Sequence, residues 1–137
     1  MDEKKVSKEK RVVVTGPDVA AEIVRGEIEN FHQEHLFVLL LSSNKELLRV
    51  ALVSLGTLTS SLVHPREVFR PAVAEPCYGV ALAHNHPSGD PAPSDEDVEC
   101  TRRLIEAGRL LGIKVFDHVI VTRDDFYSME KAGGLEF

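Results

Sequence analysis

The sequence predicts a single α/β domain. A length of 137 residues suits one domain and is short for two. A hydrophobic fraction of 43% is enough to build a core. Short β-branched or leucine-rich runs intermix along the chain with longer amphipathic stretches, the pattern of strands and helices sharing one core.

Each element can be justified in order. Residues 1–10, MDEKKVSKEK, are charged and aperiodic and are expected to be frayed and disordered, leaving 11–137 as the domain. RVVVTG, starting at Arg11, reads as a short strand. PDVAAEIVRGEIENFHQ reads as a helix. Pro17 and Asp18 suit its first turn, and Val19, Ile23, Ile28 and Phe31 form an apolar stripe that Gly26 weakens. HLFVLLLSSNKELLRVALVSLG reads as two strands around the turn SSNKE. The first, near Leu36 to Leu41, is apolar throughout and is therefore expected at the centre of the sheet; the second, near Leu47 to Leu55, ends at Gly56.

HPREVFRPAVAEP reads as a helix opened by Pro65 and interrupted or ended near Pro71. YGVALA is a buried strand. Ser94 opens a helix that Gly112 stops, with Val98, Leu104, Ile105 and Leu111 as its expected core residues. KVFDHVIVT is expected to be the last strand and SMEKAGGL a closing helical turn. The sequence holds no internal repeat, linker or low-complexity segment.

Charge and composition exclude several functions. With 22 acidic against 16 basic residues the net charge is -6, which opposes direct nucleic-acid binding through a broad basic surface. Cys77 and Cys100 have no metal-ligand spacing and suit a reducing compartment better than a disulfide framework. No apolar run approaches the roughly 20 residues of a membrane span. MDEKKVSKEKR lacks the apolar stretch of a signal peptide. A cytoplasmic protein with no membrane association is the expectation. Unpaired sheet edges leave a homo-oligomer open.

The chemistry concentrates in AHNHPSGDPAPSDED, Ala83 to Asp97. If the YGVALA strand stays extended, His84 and His86 project to one face and Asn85 to the other. Two imidazoles so placed can share one cation, at about 2.0–2.1 Å for zinc. Asp97 can supply a third ligand if PSGDPAP folds the chain back. A bound metal would then bring a water toward neutral acidity, and a general base would be needed. Many carboxylates are available, and spacing does not choose among them. The plainer alternatives stand beside this one. Ser94 and Asp97 have capping-box spacing, the histidines can be hydrogen-bonded loop residues, and Asp90, Asp95 and Glu96 suit a turn and a helix start. A second cluster, FHQEH, carries His32, Glu34 and His35. It matches neither H-E-x-x-H nor H-x-x-E-H, so a separate metal site there is not expected.

Taken whole, HNHPSGDPAPSDED resembles the JAMM signature, H-x-H, seven residues, S, two residues, D, met here by His84, His86, Ser94 and Asp97. HPREVF, LLGIKVFDHVIV, EHLFVLLLSSN and the pair Gly56–Thr57 resemble the RadC branch of the JAB/MPN domain family. The similarity covers nearly everything after residue 10. It implies the three-layer, cytidine-deaminase-like JAB/MPN architecture, a mixed sheet flanked by helices, and the activity of a zinc metallopeptidase. By the same resemblance His84, His86 and Asp97 are Zn2+ ligands and Glu34 is the catalytic base. Ser94 is then the donor to the oxyanion. Without the resemblance, Glu34 reads as a solvated carboxylate between helix and strand.

His64, Arg66, Asp117 and His118 also fall in family-like stretches and are given no catalytic role. Asp117 and His118 can support the metal ligands from behind or simply the fold, and support for the fold is slightly favoured. Longer proteins resembling RadC carry an N-terminal helix-hairpin-helix region that grips DNA. This chain has no room for it and reads as a short stand-alone member or a C-terminal fragment, which weakens a DNA-repair role. The expected function is cleavage of a peptide or isopeptide bond in an unidentified peptide or protein substrate. The competing expectations are a binding module linked to DNA repair or recombination with a structural metal, which the acidic charge opposes, and a partner domain with an unused site, which the complete residue set opposes.

Overall fold

All seven residues of the first apolar run, β2 (His35–Leu41), are buried. Leu36, Val38 and Leu40 enter one core with Val68, Phe69, Leu104 and Ile105. Phe37, Leu39 and Leu41 enter a second core with Ala20, Ala21 and Val24. Successive side chains of a strand point to opposite faces, so an uninterrupted apolar run is stable only where both faces are covered.

The computed structural model describes residues 3–5, 11–56 and 63–137. Beside β2 lie β1 (Glu3–Lys5), β3 (Leu47–Leu55), β4 (Gly79–Asn85), β5 (Lys114–Val121) and β6 (Phe126–Ser128). Among the described residues these form one sheet in the order β1-β3-β2-β4-β5-β6. Helix α1 (Pro17–Arg25) covers one face, and α2 (Pro65–Ala74) and α3 (Asp95–Leu111) cover the other. A short α4 (Met129–Ala132) packs beside β5. The result is the mixed α/β, three-layer arrangement expected from the sequence. Pairing is antiparallel except between β4 and β5. A parallel pair needs a crossover, and α3 supplies it. No helix among the described residues is long and apolar enough to cross a membrane.

Several elements differ from expectation. RVVVTG is not a strand: Val13 makes an isolated bridge to Glu46, and Val12 and Val13 stay exposed. Within 1–10, the segment expected to be disordered, Glu3–Lys5 pairs with the open edge of β3; its other residues, like Thr57, lie outside the described ones. Helix α1 stops at Arg25, where Gly26 caps it. Ile28 and Phe31 reach the second core from the turn that follows. Helix α2 runs through Pro71, whose ring is buried with Val68, Phe69 and Ala72. That burial offsets the roughly 3 kcal/mol a proline costs inside a helix. A further strand, β6, follows β5.

In α3 the buried face is Asp97, Cys100, Thr101, Leu104, Ile105 and Gly108. Val98 is half-buried and Leu111 exposed, because the 3.6-residue period places them off that face. The helix ends in a Schellman motif. Gly112 has φ 73°, its N–H donates to Arg109 O at 3.3 Å, and Ile113 N–H donates to Gly108 O at 2.8 Å. The chain thus folds back tightly over Gly108, where an added Cβ would stand 2.6 Å from Ile113 O.

Two effects oppose each other at Gly108. Helix propensity alone favours alanine by about 1 kcal/mol. The contact with Ile113 backbone cannot relax without moving β5. Gly108→Ala is therefore expected to lower stability by about 1–3 kcal/mol in urea unfolding. A variant as stable as the wild type would mean that the turn yields freely.

Candidate metal centre

The HNH stretch lies where β4 leaves the sheet. His84 pairs with Leu36 of β2 and Ile120 of β5 and is 1% exposed. His86 stands just past the strand, and its N–H still donates to Val121 O at 3.0 Å. The PSG turn follows, with Gly89 at φ 90°, a backbone region that favours glycine. The chain then returns to the N-terminus of α3. There Asp97 N–H donates to Ser94 Oγ at 3.1 Å, and Ser94 N–H donates to Asp97 Oδ2 at 2.8 Å, a complete capping box.

This cap turns the Asp97 carboxylate toward the histidines. His84 Nε2 lies 3.0 Å from His86 Nε2 and 3.4 Å from Asp97 Oδ1, and His86 Nε2 lies 3.1 Å from Asp97 Oδ2. Among the described residues, this is one group of three ligand side chains close enough to hold a metal ion. The donor chemistry fits one. An ionised carboxylate only accepts hydrogen bonds. His86 Nδ1 faces Asp90 O at 2.9 Å, and a carbonyl can only accept, so the Nδ1 proton is committed there. Neutral His86 then presents an Nε2 lone pair to the cluster. Acceptors converging at such distances need a cation between them.

A proton answers that need only in part. Hydrogen bonding to Asp97 raises the His86 imidazole above its ordinary range, although burial opposes it. Burial would raise the Asp97 carboxyl, yet the adjoining His84 and His86 rings and the Ser94 N–H outweigh it and hold the group well below the usual carboxylate range. The cluster can bind a metal; its residues do not by themselves select which.

Glu34 stands immediately before β2. Its carbonyl accepts from Gly56 N–H at 2.9 Å. The two residues flanking it are held by Asn85: Asn85 Oδ1 accepts from His35 N–H at 2.7 Å, and Asn85 Nδ2 donates to Gln33 O at 3.0 Å. The pocket beside the cluster, about 680 Å³, is lined by Glu34, His86, Pro87, Ser88, Ser94, Asp95, Glu96 and Asp97. Of the residues singled out in the sequence, Glu34, Ser94, His86 and Asp97 therefore share one pocket, with His84 buried behind them. In the FHQEH cluster, His35 Nδ1 turns to Gln33 O at 2.7 Å, away from any ligand set.

Asn85 and Thr101 were not singled out. The period of two already pointed Asn85 away from the histidines, and its full burial shows why an amide is there: it satisfies backbone groups of the segment carrying Glu34. The pair Asp117–His118 divides. Asp117 accepts from His118 N–H at 2.7 Å, Glu130 N–H at 3.0 Å and Ser128 Oγ at 2.6 Å, tying β5 to α4. His118 instead places its ring behind His84, with 2.7 Å between Nε2 and His84 Nδ1. Burial and the neighbouring His84 push His118 well below the usual histidine range, so its ring is neutral.

Two expectations follow. Asn85→Asp sets a carboxylate oxygen against the Gln33 carbonyl, and stability is expected to fall by about 1–3 kcal/mol in denaturant melts; wild-type stability would show that the amide does not hold the 33–35 segment. Metal retention is expected to fall with acidity. Protons compete with the metal for the His86 imidazole, so the metal's apparent dissociation constant, followed by equilibrium dialysis, should rise as the pH is lowered. An apparent dissociation constant that stays the same from pH 8 to pH 5 would remove His86 from the ligand set.

A sequence model of the RadC-like JAB domain matches residues 14–135. A UPF0758 protein of Desulforudis audaxviator is 48% identical over 120 residues, 88% of this chain and 52% of the relative. A UPF0758 protein of Rubrobacter xylanophilus is 48% identical over 125 residues, 91% of this chain and 55% of the relative. A UPF0758 protein of Symbiobacterium thermophilum is 45% identical over 124 residues, 90% of this chain and 53% of the relative. The chain spans about half the length of these curated relatives. The family match and the His84–His86–Asp97 cluster together support a metal-dependent, hydrolase-like function. With a match over nearly its whole described length and with these identities, the chain belongs to the RadC-like JAB domain family.

Proposed function

We propose that the chain is a zinc-dependent hydrolase that cleaves a peptide or isopeptide bond in a peptide or protein substrate. One observation carries this: the carboxylate residue Glu34, brought from a distant part of the chain, lines the same pocket as His86, Ser94 and Asp97. Two neutral imidazoles and a carboxylate are a donor set that zinc takes in hydrolytic sites, so His84, His86 and Asp97 would hold the ion. Zinc held there would bring a bound water close to neutral acidity and polarise the scissile carbonyl.

The remaining steps belong to the protein's own groups. Glu34 accepts the proton that the attacking water gives up and returns it to the nitrogen of the leaving amine. Ser94 Oγ accepts from Asp97 N–H, which leaves its hydroxyl hydrogen available to the oxygen that gains charge during attack. The residues that cap α3 thus also shape the site.

The test is a comparison of wild type with Glu34→Gln, both loaded with zinc, against a library of peptides and lysine-isopeptide conjugates read by mass spectrometry. Turnover is expected to fall by roughly 10²–10⁴-fold, with zinc per chain unchanged by elemental analysis. Equal turnover in the two proteins would refute Glu34 as the base.

A further inference from the structure

His84 presents one ring nitrogen to the ligand cluster and the other to the protein interior. Which of them carries the proton decides whether the residue can bind a cation at all. The answer is written in the contacts behind the ring. His84 Nδ1 lies 2.7 Å from His118 Nε2, and His118 Nδ1 lies 2.6 Å from Thr101 Oγ1. Thr101 Oγ1 in turn lies 2.7 Å from the backbone carbonyl of Asp97. His84, Thr101 and His118 are all buried, at no more than 2% exposure.

The proton positions follow from the carbonyl, which can only accept. The single hydroxyl hydrogen of Thr101 goes to Asp97 O; Met129 Sδ, at 3.6 Å, is a longer and weaker alternative. Thr101 Oγ1 must then accept from His118, so His118 carries its proton on Nδ1. The ring is buried and its hydrogen-bond partners are Thr101 and His84, with no anion among them to hold a second proton, so with Nδ1–H given to Thr101 its Nε2 presents a lone pair to His84. His84 must therefore donate from Nδ1. Its own Nε2 is left unprotonated, and that is the nitrogen facing His86 and Asp97.

We propose that His118 and Thr101 are positioning residues that lock the tautomer of His84, holding its Nε2 lone pair toward the metal. The lock is also a circuit. It runs from the ligand His84 on β4, through His118 on β5 and Thr101 on α3, to the backbone of the ligand Asp97. Residues that touch no metal thereby join two ligands from different elements. Outer partners of this kind commonly change metal affinity by about 10–100-fold when removed. The inference rests on His84 being a metal ligand and is independent of whether the site hydrolyses anything.

Thr101→Val keeps the shape of the side chain and removes the hydroxyl. His118 is then free to carry its proton on Nε2, which forces the proton of His84 onto the nitrogen that faces the cluster. Thr101→Ser restores the hydroxyl. The experiment reads two quantities in wild type and both variants: the ¹⁵N shifts of the histidine rings in metal-free protein at pH 8, and zinc affinity by competition with a chromophoric chelator. Wild type is expected to show His84 protonated on Nδ1 and bare on Nε2. Thr101→Val is expected to show a mixed or reversed tautomer and a 10–100-fold loss of zinc affinity. Thr101→Ser is expected to recover both.

Wild-type His84 protonated on Nε2 would overturn the lock whatever the variants do. So would a Thr101→Val protein that loses zinc affinity while keeping the wild-type tautomer, which marks a merely structural role. Absence of zinc binding in the wild type refutes the metal reading instead, and the ring shifts of the metal-free protein still decide the tautomer.

Discussion

Three acceptor groups are pressed together where β4 leaves the sheet, and much of the structure serves to keep them there. Two imidazole nitrogens and a carboxylate, with 3.0 Å between the nitrogens, are held together only if a cation lies between them or a rigid frame opposes their separation. The frame here is strong on every side. His84 is fixed by ladders to both β2 and β5, and Asp97 by the first turn of α3. For Asp97 the competition is plain. Burial disfavours the charge, but the hydrogen bond from Ser94 N–H and the adjoining imidazoles, where a cation is shared, outweigh it.

The same residues satisfy the backbone and build the site, and neither task can be changed without the other. Ser94 and Asp97 close the orphan amides of a helix start, a common and ordinary device. Here the second Asp97 contact, to His86, makes the helix cap part of the candidate metal site. The helix follows a parallel strand, so its N-terminus opens at the carboxyl end of the sheet. Open α/β sheets commonly form their ligand crevices there.

Asn85 shows how a strand serves two sides at once. His84 faces the ligands, and Asn85, one residue on, faces the segment before β2 and holds the backbone on both sides of Glu34. The segment that carries Glu34 runs outside any helix or strand, so its backbone groups need partners from elsewhere. Backbone hydrogen bonds from a fully buried amide supply that anchor, because leaving those groups unmatched in the interior would cost more than ordering the loop.

Local patterns determined much of this by themselves. The all-apolar β2 announced a sheet covered on both faces, and the spacing from His84 to Asp97 held a ligand set and a helix cap together. Periodicity failed where the chain's own preferences were weak or outvoted. Pro71 stayed helical because its ring is buried, and RVVVTG found only one bridge because β1 takes the edge of β3. Tertiary structure alone decided the rest. It brought Glu34 to a pocket whose other residues, His86 to Asp97, lie 52 to 63 positions further along the chain, and it set His118 diagonally behind His84 through the parallel register that pairs Leu82 with His118 and His84 with Ile120. No local spacing encodes such a contact, because its distance depends on strand order and register, which the whole core fixes at once.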